Sequence, residues 1–70
     1  MPNVREQLDA INARAEALNE RMRRTTNDAT AEIIAINRER GQLYNEAKAA
    51  GFVRLFDGRY RLSGKQVAAL

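Results

Sequence analysis

Seventy residues with no Cys and no His form one domain at most, too short to bury a large core and without a disulfide to compensate. The missing Cys and His also remove the usual ligands of structural zinc and the usual catalytic bases, so no enzyme, metal site or cofactor is expected. The net charge of +3 is unevenly placed. Residues 1–50 carry eight basic and eight acidic side chains, whereas the last twenty carry Arg54, Arg59, Arg61 and Lys65 against Asp57 alone. The opening Met1–Arg5 leads into a polar pattern with no run apolar enough for a signal peptide or membrane span. With no Cys to suggest an oxidising compartment, the expected location is the cytoplasm.

Val4, Leu8, Ile11, Ala15, Leu18 and Met22 recur at alternating spacings of four and three, the signature of a coiled-coil seam. Asn3 is placed to cap this first helix, with Glu6 three residues on to return the bond. Glu20 precedes Arg24 by four, the favourable order for a helical ion pair. The count then slips: Thr25 and Ala29 continue it, but Ile33 arrives after four where three is due. That is either a stutter in one long helix or a turn. Thr25-Thr26-Asn27-Asp28 are weak helix formers and good caps, which favours a turn and hence an antiparallel helical hairpin. The alternative, one continuous helix from Asn3 to Ala50, would be roughly 70 Å long.

The second helix is expected over about 28–50, with Ile33, Ile36, Leu43, Ala47 and Ala50 inward and Ile34 and Tyr44 widening the stripe. Arg40 falls on a seam position, and Gly41 beside it reads as a close helix crossing, a local kink or a break before a short helix over 42–50. Two such helices leave apolar surface uncovered. Dimerisation is the expected remedy, with Val4, Leu8, Ile11, Ala15, Leu18, Met22, Ile33 and Ile36 as the seam between copies. Asn12 and Asn19 flank it as polar shoulders able to set register.

Gly51 is placed to end helix two, and Asp57-Gly58 signals a two-residue type I′ hairpin turn. That loop pairs Phe56 with Arg59, Leu55 with Tyr60, Arg54 with Arg61 and Val53 with Leu62. Val53, Leu55, Tyr60 and Leu62 then form a core face, while Phe52, Arg54, Phe56, Arg59 and Arg61 form an Arg–aromatic face suited to an anionic partner. Ser63 is expected to cap a last short helix over 64–70, with Val67 and Leu70 closing over the core.

The fold predicted is therefore mainly α and a single domain: a helical part (3–50), a basic β-hairpin (51–63) and a short terminal helix (64–70). Its predicted function is that of a homodimeric scaffold that regulates or inhibits a protein with an acidic surface. The partner-binding residues expected are Arg54, Phe56, Arg59, Arg61 and Lys65, with the Arg21-Arg23-Arg24 cluster, and neither a membrane nor a small-molecule substrate is expected. The alternative is DNA or RNA binding through the same hairpin. Ala50-Gly51-Phe52-Val53-Arg54 through Asp57-Gly58-Arg59-Tyr60-Arg61-Leu62-Ser63 resembles the wing of winged-helix transcription factors. The resemblance covers about the last third of the chain. It implies a recognition helix over 42–50, with Arg59 and Arg61 reaching the phosphate backbone. Upstream the sequence departs from that family, with a heptad seam in place of a compact helix-turn-helix and Asn37 where a small residue would precede Gly41.

Overall fold

A computed structural model describes residues 3–70; Met1 and Pro2, part of the segment read as carrying no leader, lie outside the described residues. The elements run α1 (Val4–Arg24), α2 (Thr30–Ala49), β1 (Val53–Arg54), β2 (Tyr60–Arg61) and α3 (Gly64–Ala69). The two long helices form an antiparallel hairpin. The longest dimension is 46 Å, well short of a continuous rod.

Local chemistry sets the boundaries of α1. The Asn3 side chain accepts the Glu6 N–H at 2.8 Å. At the other end Thr25 is extended (φ −80°, ψ 134°), and its hydroxyl donates to the Arg21 carbonyl at 2.7 Å. The slip in the heptad count is thus a turn over residues 25–29, and α2 starts at Thr30, without a side-chain cap. Gly41 lies inside an unbroken α2. A Cβ there would meet nothing within 4 Å, so neither a close helix crossing nor a break explains it.

Ile11, Ala15 and Leu18 of α1 meet Ile36, Leu43 and Ala47 of α2, and Phe52, Tyr60 and Leu62 close the core from the C-terminal segment. Val4, Leu8, Met22 and Ala50 pack around its edge. Ile33 is only half-buried and Ile34 exposed. Except for Ile33, the residues expected as a seam between two copies therefore lie in or against the chain's own core. The helices meet along it because the hairpin brings both stripes together in one molecule.

Ion pairs also bridge the two helices. Arg14 bridges to Glu46 at 2.6 Å, and Arg21 reaches both Glu32 (2.9 Å) and Glu39 (2.6 Å). All are solvent-exposed enough that each contributes little stability. They do have a pH signature. The hydrogen bond from Arg14 holds the Glu46 carboxyl below its ordinary 4.5, and Arg23 does the same for Glu20. A depressed carboxyl stabilises the fold above its unfolded value and loses that contribution as pH falls through the folded one. Thermal midpoints by circular dichroism should therefore be level near neutrality and fall below pH 4.5. Glu46→Gln should flatten the decline; an unchanged slope would count against the Arg14 contact.

The Schellman arrangement that ends α2 aims the chain into the hairpin. Gly51 sits at φ +87°, its N–H donating to the Lys48 carbonyl at 3.0 Å, and the Phe52 N–H donates to Ala47 at 2.9 Å. The register then differs from the sequence expectation. Val53 pairs with Arg61 and Arg54 with Tyr60, one residue off the predicted set. The Leu55 N–H donates to Arg59 at 2.7 Å and the Gly58 N–H to Leu55 at 3.1 Å, which makes a three-residue loop, Phe56-Asp57-Gly58. Gly58 alone takes positive φ (+87°) in it; Asp57 does not, so the turn is not type I′. It is the longer loop in which a glycine bulge follows the turn.

A one-residue slip turns one strand over relative to the other. Phe52, Tyr60 and Leu62 are buried, with Arg54 on their side, while Leu55 is exposed beside Arg59 and Arg61. The expected core face of Val53, Leu55, Tyr60 and Leu62 is corrected accordingly, and with it the Arg–aromatic face. Burying Phe52 removes more apolar surface from water than burying Val53 would, which favours the observed register.

Ser63 caps α3 as expected, in a reciprocal box with Gln66. Val67 and Leu70 do not close over the core: they are 57% and 67% exposed. Gln66 takes the inward place instead, its amide donating to the Ala50 carbonyl at 2.8 Å. Among the described residues, no helix is long and apolar enough to cross a membrane.

Candidate functional site

The residues expected to bind a partner do not form one surface. Arg21 is held by Glu32 and Glu39, and both Arg23 and Arg24 by Glu20. Three guanidiniums thus meet three carboxylates, and the cluster presents no net charge. Arg59 lies 3.4 Å from Glu16, which balances it as well. Arg61 turns its guanidinium to the Leu62 carbonyl at 2.9 Å, and Lys65 stands exposed on α3. Of the predicted set, Arg21 borders a small cleft between the helices, beside its partner Glu39, while Arg54 and Phe56 line a different concave feature.

This second feature is a cleft of about 260 Å³ between the helical hairpin and the β-hairpin. Ala15, Leu18 and Leu43 supply its apolar lining, and Asn19, Asp57, Tyr60 and the fully exposed Phe56 also border it. Two arginines are among its lining residues, Arg40 from α2 and Arg54 from β1. Neither makes an ion pair among the described residues. Arg40 donates to the Asn19 side-chain oxygen at 3.0 Å, and Asn19 in turn donates to the Asp57 carbonyl at 3.2 Å, so one asparagine orients the arginine and holds the hairpin tip.

Arg54 lies over the ring of Tyr44, 5.7 Å from its centroid, and Lys48 stands 6.0 Å from the same ring. These are cation–π distances on an exposed aromatic. Burial pushes the Tyr60 hydroxyl above its ordinary value of 10, with the Arg54 charge opposing the shift. The one carboxylate lining the cleft is Asp57, whose Oδ1 accepts the Arg59 N–H at 3.0 Å inside the turn. The lining therefore retains one net positive charge.

Arg40, Tyr44, Lys48 and Asn19 were not among the site residues predicted from sequence. The first three recur at intervals of four, one side of a helix, and that spacing was the available signal. Among the described residues there is no group of three potential metal ligands. Residues 42–50, the recognition helix that the winged-helix resemblance implies, are the last turns of the long α2 and its C-cap Ala50, with Leu43 and Ala47 buried. A compact helix-turn-helix is not formed. No protein-family model, curated protein or solved structure matches the chain.

Proposed function

We propose that the chain is a small non-enzymatic binding protein that regulates or inhibits a protein partner by engaging an acidic segment of it. The observation that carries this reading is the separation of its charges. Arg14, Arg21, Arg23, Arg24 and Arg59 each have a carboxylate partner; of the cations that make no ion pair among the described residues, Arg40, Lys48 and Arg54 gather around Tyr44 and the cleft, while Arg5, Arg38, Arg61 and Lys65 do not line it. Uncompensated cations beside exposed aromatic rings favour an anionic partner and set specificity through charge complementarity. The cations that gather at the cleft and Tyr44 are three, whereas a nucleic-acid binder needs a basic stripe long enough to follow successive phosphates. Most of the seam residues serve the intramolecular core; a homodimer would rest on the apolar surface they leave, and the acidic-partner reading holds for one copy or two.

Titrating the full chain with a labelled Glu-rich peptide, a duplex and a single-stranded oligonucleotide at two salt concentrations tests it. Peptide binding that weakens with salt, with oligonucleotides binding no better, is the expected result. Tight oligonucleotide binding with a steep salt slope and no peptide binding would replace this reading with nucleic-acid binding.

A further inference from the structure

Resting on that reading, we infer that the cleft receives one carboxylate side chain of the partner's acidic segment, clamped between Arg40 and Arg54. Three observations converge on this. The first is size: about 260 Å³ falls below the roughly 300–1,000 Å³ of small-molecule sites, which suits a single side chain and not a nucleotide.

The second is donor capacity. Arg40 uses Nη2 on Asn19, and its remaining guanidinium N–H groups are not engaged in any ion pair. Arg54 likewise makes no ion pair among the described residues, its guanidinium lying over the Tyr44 ring. Planar guanidiniums pair with carboxylates in a two-pronged geometry that a lysine cannot reproduce.

The third is preorganisation. Asn19 fixes Arg40 and anchors the turn carbonyl of Asp57, so the two walls of the cleft are held before a ligand arrives. The Asp57 carboxylate opposes an incoming anion, and its bond to the Arg59 N–H keeps one of its oxygens engaged in the turn.

A labelled decaglutamate peptide followed by fluorescence anisotropy provides the test, using the full chain. Arg40→Gln and Arg54→Gln should each weaken binding about tenfold or more, the scale of one charge-assisted pair. Arg38→Gln, exposed on α2 and absent from the cleft lining, should leave it unchanged. Asp57→Asn keeps a side-chain oxygen for the Arg59 N–H but removes the opposing charge, and should tighten binding on the order of threefold. Should a cleft variant fail to fold, peptide-induced NMR shifts on the unmodified chain settle the point: they belong at Asn19, Gly58 and Tyr60. Decaglutamate binding that survives both cleft variants but is lost in Arg61→Gln/Lys65→Gln would overturn the cleft while leaving the acidic-partner reading standing. No decaglutamate binding at low salt would overturn both.

Discussion

Ile36→Ala is expected to lower the midpoint of urea unfolding by about 2–5 M and to leave the chain close to its folding threshold at room temperature. Ile36 has no exposed surface and is the one large side chain buried so completely among the described residues. Truncating such a residue removes its transfer free energy and leaves a cavity, together about 2–5 kcal/mol. A chain of this length has a total stability of only about 3.5–10 kcal/mol, and a small domain loses roughly 1 kcal/mol per molar urea. Ile34→Ala is the internal control. Two residues away on the same helix, it is 53% exposed, and its loss should cost under about 0.5 kcal/mol. Far-UV circular dichroism in urea reads both. Equal shifts for the two variants would mean that α2 does not present the face described.

That pair also marks what was legible in the sequence. The spacing from Val4 to Met22 and the run Thr25–Asp28 carry α1 and the turn plainly, because both signals are local. In α2 three isoleucines crowd together, and periodicity alone admits Ile33, Ile34 or Ile36 as inward; the facing stripe of α1 selects Ile36. The hairpin shows the same limit. Asp57-Gly58 announces a turn, but two-residue and three-residue loops both place the glycine at positive φ. The choice between them rests on Phe52 entering the core and on contacts from α1 dozens of residues away. Charge pairing was hidden in the sequence for the same reason. Arg21 and Arg59 read as free until the helices bring Glu39 and Glu16 against them, whereas Arg40 read as a core intruder until the hairpin folded over it.

Asn12 is where that long-range control is concentrated, and Asn12→Leu should detach the β-hairpin while leaving both long helices formed. The sequence offers Asn12 as a polar shoulder of a seam; the fold uses it as a clamp. Its Oδ1 accepts the Tyr60 N–H at 2.8 Å, and its Nδ2 donates to the Tyr60 carbonyl at 3.0 Å. Tyr60 pairs opposite Arg54 at a position whose own backbone groups point away from β1. The amide of Asn12 therefore completes the outer edge of β2 as a neighbouring strand would. Leucine is close in size but supplies neither donor nor acceptor, and two partly buried backbone groups lose their partners, at about 1–3 kcal/mol each. A hairpin this short has little else to hold it, since two-stranded units are marginal in water. Hydrogen exchange at the Tyr60 amide should accelerate by about tenfold or more, with helical circular dichroism nearly intact. Asn12→Asp gives a finer test. The carboxylate still accepts the N–H but faces the carbonyl with a second oxygen, so exchange should be fast near neutrality. In acid a protonated carboxyl can again donate, and protection should recover. Because β1 carries Arg54 into the cleft, the leucine variant should also lose decaglutamate binding although every cleft side chain is present. Unchanged protection at Tyr60 would show that the hairpin is held by its apolar face alone.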